Sequence, residues 1–112
     1  MTLALGIDPG TATTGYGLVR LMRDGELVAV SYGVISTPKD ASASVRLEML
    51  FDQLNDLIKE NKPDTAAVEK LFFQSNVKTA LAVGQARGVI MLCLQKAGIE
   101  PFEYTPNEVK QA

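Results

Sequence analysis

Leu3-Ala-Leu-Gly-Ile-Asp-Pro-Gly10 is an apolar run that ends on one carboxylate, Asp8, set on a Pro-Gly turn. A short run of Leu and Ile bounded by turn residues reads as a buried central strand. Burying an ionised Asp at its end is costly unless a cation or hydrogen-bond donors meet it, so Asp8 is either a ligand or a cap. A second short apolar run closed by an acidic residue follows at Thr65-Ala-Ala-Val-Glu69. The fold is read outward from these two strands.

After the Asp8 turn, Thr14 to Arg23 mixes β-formers with glycines, and Asp24-Gly25 is a two-residue hairpin signal before Glu26 to Ile35. Three antiparallel strands in a meander are expected. Ser36 to Ser44 is a loop rich in turn residues. Val45, Leu47, Leu50, Phe51, Leu54, Leu57 and Ile58 then recur at helical spacing, which predicts an amphipathic helix that Asn61-Lys62-Pro63-Asp64 stops. Beyond Glu69 and a connection, Ser75 or Asn76 can cap a long helix that runs to about Ala97 and ends at Gly98. Its Leu81, Val83, Val89, Ile90, Leu92 and Leu94 cover most of the circumference, so it needs cover on two sides: the sheet and something else, such as a second subunit. Ile99 to Tyr104 reads as a fifth strand, and Thr105-Pro106-Asn107-Glu108 as a capping box with Pro at the first helical position. A helix is announced there just before Ala112, and a shortened chain is expected on that ground, with its C-terminal helix missing after about residue 105.

Composition narrows the chemistry. The 112 residues make a single domain, 46% hydrophobic and 21% charged, as in a soluble globular protein. No apolar run reaches the roughly 18 residues of a membrane span, and no secretory leader pattern is visible, so a cytoplasmic protein without membrane contact is expected. With no His and a lone Cys93, the chain can build neither a zinc site nor a Ser-His or Cys-His nucleophile pair. Cys93, on a Leu-rich helix, reads as a buried apolar residue. Chemistry must run on carboxylates, hydroxyls, Lys or an oxygen-bound metal. The net charge of −2 does not announce a nucleic-acid binder, but Lys70, Lys78, Arg87 and Lys96 cluster between Glu69 and Ile99, so one face could be basic.

A βββαβαβ order places Asp8 and Glu69 side by side, because the fourth strand can join the first in parallel through a helical crossover. Two carboxylates at adjacent strand ends suit a hard divalent cation such as Mg²⁺, and such ions serve phosphoryl hydrolysis. The competing structural reading is that Asp8 caps its own turn and Glu69 pairs with a Lys. Gly10-Thr-Ala-Thr-Thr-Gly15 is no nucleotide P-loop, since Tyr16 stands where that motif needs Lys. Gly6-Ile-Asp-Pro-Gly10 with Thr11 also resembles the opening phosphate loop of actin-like and sugar-kinase ATPases, which need a second such loop and a far longer chain. Phe72 and Phe73 follow Glu69 in a connection: one can stack on an unpaired base while the other plugs the core. Lys70, Lys78, Arg87 and Lys110 are candidate phosphate contacts, with ordinary solvated charge as the alternative for each.

Together these residues resemble RuvC-type Holliday junction resolvases, RNase H-like crossover junction endodeoxyribonucleases. The resemblance runs through the whole chain. Its carriers are Gly6-Ile-Asp-Pro-Gly10, Thr14-Gly-Tyr-Gly17, Pro63-Asp64 to Val68-Glu69, Phe72, Asn76, Leu81 with Gly84-Gln-Ala-Arg-Gly88, and Phe102-Glu-Tyr104 with Val109-Lys-Gln111. It implies an α/β fold with a mixed five-stranded sheet, three antiparallel strands then two parallel, with helices packed on it. It further implies a homodimer joined through the long second helix, which nicks opposed strands of four-way junction DNA with Mg²⁺ or Mn²⁺, two ions per complete site, and works with the RuvA–RuvB branch-migration complex. Asp8 and Glu69 fall on two of the family's catalytic, metal-binding carboxylates, Phe72 on its base-stacking aromatic and Lys110 on a basic residue near the site. The family carries its remaining catalytic acids on a final helix, so the 112-residue form is expected to cleave weakly or to serve as a non-catalytic junction-binding or dimerisation module.

Overall fold

The computed structural model describes residues 2–10, 12–69 and 77–104. Its elements run β1 (Thr2–Asp8), β2 (Thr13–Leu21), β3 (Leu27–Ser36), α1 (Ala43–Asn61), β4 (Thr65–Glu69), α2 (Val77–Lys96) and β5 (Pro101–Tyr104). They form one five-stranded sheet in the order β3-β2-β1-β4-β5. β1, β2 and β3 pair antiparallel, whereas β4 joins β1 and β5 joins β4 in parallel. This is the expected mixed sheet.

Period-2 alternation decides which face is covered. Leu3, Leu5 and Ile7 of β1, Leu18 of β2, Ile35 of β3 and Ala66 and Val68 of β4 point to one side and are buried there. Leu50, Leu54 and Ile58 of α1 and Ala86, Ile90, Cys93 and Leu94 of α2 close the same core. Both helices therefore lie on one face and pack on each other. Cys93 is a core residue, and burial pushes its thiol pKa up. Val45, expected in the α1 stripe, is exposed because its spacing of five and nine residues from the buried Leu50 and Leu54 turns it to the opposite side of the helix.

The opposite face of the sheet has no covering element among the described residues. On it, Gly17 lies across from Tyr32 and Gly15 across from Val34, while Phe102 stands opposite Ala67 on the other side. Tyr32, Val34 and Phe102 are 86%, 65% and 70% exposed, so the face is apolar at its flanks and nearly bare backbone at its centre.

Local signals explain the element ends. Ser42 caps α1 by accepting from the Val45 N–H at 3.4 Å, and Lys62 closes it in a left-handed conformation, its N–H donating to Ile58 O. At the end of α2, Gly98 (φ +79) donates to Gln95 O and Ile99 to Leu94 O, a Schellman motif. That motif corrects the fifth strand: Ile99 belongs to the helix terminus, where its buried side chain completes the cap, and pairing starts at Pro101. The β2–β3 turn also differs from the two-residue expectation. Met22 accepts from Gly25 N–H and donates to Glu26 O, so the loop is Arg23-Asp24-Gly25, with Gly25 at positive φ and Asp24 accepting from Glu26 N–H.

Candidate functional site

Asp8 and Glu69 close β1 and β4. The parallel register pairs Gly6 with Ala67 and Ile7 with Val68, and continuing it sets Asp8 beside Glu69. Counting alternate residues back from the buried Leu5, Ile7, Ala66 and Val68 puts both carboxylates on the uncovered face. Asp8 is exposed and Glu69 half-buried. The Glu69 carboxyl is hydrogen-bonded to that of Asp8, and this bond, partial burial and the Asp8 charge together push its pKa from 4.5 up to about 7. Two carboxyls set this close on an open face form a site that favours added positive charge.

The backbone around Asp8 is built for close approach. A side chain at Gly10 would run into the Thr13 carbonyl, so the turn that ends β1 requires glycine. Gly15 and Gly17 of β2 face Asp8 and Gly6 across the ladder, leaving a shallow trough lined by Gly6, Asp8, Gly15 and Gly17.

Helix directions add a field. β3 runs parallel to β1, and α1 starts just beyond its end; α2 starts beyond the end of β4. Both helix N-termini therefore lie at the sheet edge that carries Asp8 and Glu69, and neither first turn contains an acidic residue. Their partial positive charges favour anions at that edge. Lys59 and Lys96, in the last turns, sit at the opposite edge.

The donor set present fits a hard, oxygen-preferring cation: two adjacent carboxylates, no His in the chain, and the thiol buried in the core. Among the described residues, no group of three or more His, Cys, Asp and Glu comes together. Asp64 lies at the far end of β4, where its carboxylate accepts from Leu3 N–H at 2.8 Å.

Of the candidate DNA contacts, Lys78 is exposed in the first turn of α2. Arg87 is half-buried and ion-paired with Glu103 of β5, so its charge is already shared. Lys70, Phe72, Phe73 and Lys110 lie outside the described residues, as do Ser75, Asn76 and the segment 105–112. Arg46 was not singled out by the sequence. Its Nε donates to Thr37 Oγ1 at 3.1 Å, and Thr37 donates in turn to Ala12 O in the turn after Asp8. The available signal was a charged residue one helical turn before Leu50, on the buried stripe.

Comparison with known proteins follows the same lines. A family model described as crossover junction endodeoxyribonuclease RuvC matches residues 4–112. The protein of that name from Syntrophomonas wolfei is 50% identical over 96% of this chain and 62% of its own length. Its counterpart from Chloroflexus aggregans is 54% identical over 97% of this chain and 66% of its length. The chain spans about 60–66% of the length of such curated relatives. Among solved structures, T. thermophilus RuvC in complex with Holliday junction substrate superposes with a TM-score of 0.89 at 26% identity, covering 99% of this chain and 69% of that one. The shared architecture is RNase H-like. No helix among the described residues is long and apolar enough to cross a membrane.

Proposed function

Because this chain belongs to the RuvC family of crossover junction endodeoxyribonucleases, we propose that it is a metal-dependent endonuclease that resolves Holliday junctions by paired nicks in opposed strands during DNA recombination and repair. The observation that carries this reading is the Asp8–Glu69 pair, two carboxyls set side by side at the ends of adjacent parallel strands on an open sheet face. Asp8 and Glu69 are the residues that hold Mg²⁺ or Mn²⁺, two ions in a complete site. When bound, the cation supplies positive charge to the phosphodiester and makes water a better nucleophile. The trough of Gly6, Gly15 and Gly17 lets a DNA strand lie close to the backbone beside Asp8, and the two helix N-termini attract its phosphates.

Phe72 and Phe73 provide the base-stacking aromatic and its supporting neighbour, and Lys70, Lys78 and Lys110 contact phosphates. Arg87 takes part with its charge moderated by Glu103. Leu81 and Leu92 of α2 are 64% and 55% exposed and about three turns apart on one stripe, which supports α2 as the contact of a homodimer. The RuvA–RuvB complex is the proposed partner on the junction.

Cleavage of a labelled four-way junction in Mg²⁺ and in Mn²⁺, by the chain and by its Asp8→Asn variant, tests the reading. Asp8-dependent cleavage supports it, and cleavage indifferent to Asp8 overturns it. Among the described residues only two carboxylates come together at the site, a donor set that holds a cation weakly. The same observation favours a second reading, a junction-binding or dimerisation module without catalysis. Junction binding with no metal-dependent cleavage distinguishes it.

A further inference from the structure

We propose that Arg46 is a positioning residue for Asp8, acting through Thr37 on the turn that ends β1; the inference deepens the site reading above and rests on it for its functional meaning.

Three elements meet in one hydrogen-bonded chain. Arg46 of α1 donates from Nε to Thr37 Oγ1 at 3.1 Å. Thr37, the residue after β3, donates from its N–H to Ala12 O at 3.1 Å and from Oγ1 to the same carbonyl at 3.5 Å. Ala12 belongs to the short connection between Asp8 and β2. A hydroxyl that accepts one bond while donating another is held in a single orientation, so Arg46 orients Thr37 Oγ1 toward the Ala12 carbonyl.

Gly10 admits no side chain, because a Cβ there meets the Thr13 carbonyl. Under the turn lies a cleft of about 60 Å³ that Thr14, Thr37, Arg46 and Gln85 line together with the apolar Ile35 and Leu50. A turn over an incompletely filled cleft leans on its polar contacts, and removing those lets Asp8 drift from Glu69. Displacements near 1 Å at a catalytic group are costly, which gives a remote Arg a functional consequence.

The test compares Arg46→Ala, Thr37→Val, Thr37→Ser and the double variant Arg46→Ala/Thr37→Val. The first readout is amide hydrogen exchange in the protein without metal or DNA. The second is Mn²⁺ affinity by calorimetry. Arg46→Ala and Thr37→Val are each expected to speed exchange about tenfold for amides near residues 8–14, with helix-core amides unchanged. Mn²⁺ binding should weaken about threefold to tenfold in each, no further in the double variant, and recover in Thr37→Ser, which keeps the hydroxyl. Unchanged exchange at the turn, additive losses, or faster exchange spread evenly over the molecule overturns the proposal. If wild-type protein binds no Mn²⁺, the metal reading fails by itself, and the exchange pattern still decides whether Arg46 fixes the turn.

Discussion

Glu69 and Asp8 sit side by side at the ends of two adjacent parallel strands, and the neighbouring Asp8 carboxyl, with partial burial, raises the Glu69 pKa from 4.5 to about 7. The fold therefore holds two like charges closer than their ionised forms tolerate. Strand register makes the pairing unavoidable, since a slip of one residue would send every side chain of β4 to the wrong face of the sheet.

The first consequence is a pH dependence. A carboxyl whose folded pKa of about 7 exceeds its ordinary 4.5 binds its proton more tightly when folded, so folding takes up a proton between those values. This group's contribution to stability is fully present below pH 4.5, falls as the pH rises, and is gone above about 7. Thermal unfolding of metal-free protein is expected to show that loss between about pH 4.5 and 7, on the order of 1 kcal/mol after solvent screening. Mg²⁺ should restore it at pH 8, and Glu69→Gln should abolish the trend.

Asp8→Asn separates the electrostatic and catalytic roles. Removing the Asp8 charge and letting an amide donate to Glu69 should return the Glu69 pKa toward 4.5. Metal-free stability at pH 8 should rise slightly, while junction cleavage falls by on the order of 100-fold or more. Denaturation and single-turnover cleavage on the same preparation measure both.

Gly10→Ala is expected to destabilise by about 1–3 kcal/mol, because the added Cβ meets the Thr13 carbonyl, which is backbone and yields only if the turn shifts. Its cleavage loss should exceed the loss from a core cavity of equal cost, such as Leu54→Ala titrated to the same stability. Denaturant unfolding paired with cleavage rates makes the comparison.

A Leu81→Glu/Leu92→Glu double variant places charge on the exposed stripe of α2. It should shift the protein from dimer to monomer in sedimentation while leaving helicity by circular dichroism unchanged. A monomeric wild-type protein would remove the proposed dimer contact.

Much of this was legible from residue order. Leu3 to Ile7 and Thr65 to Val68 are apolar runs of strand length, and the helix between them forces a parallel crossover, so the adjacency of Asp8 and Glu69 follows from topology alone. Asp64 could likewise be placed at the far end of β4. Contacts that depend on how separate elements meet were not legible. Arg87 lies one turn from core positions of α2, but its pairing with Glu103 is set by where β5 docks beneath that helix. Arg46 hides in an apolar stripe whose period announces only packing. The hairpin turn gained a residue because Gly25 takes positive φ while Asp24 does not, where a two-residue type I′ turn needs both, a choice that dipeptide identity alone leaves open.

The most direct measurement is a titration of the Glu69 side-chain carboxyl by carbon-13 NMR, in metal-free protein and again with saturating Mg²⁺. The expected result is a midpoint near pH 7 without metal and a fall of more than one unit with it, as the cation displaces the Glu69 proton. A midpoint in the ordinary carboxylate range that Mg²⁺ leaves unmoved would contradict the assignment of Asp8 and Glu69 as a cation-binding pair.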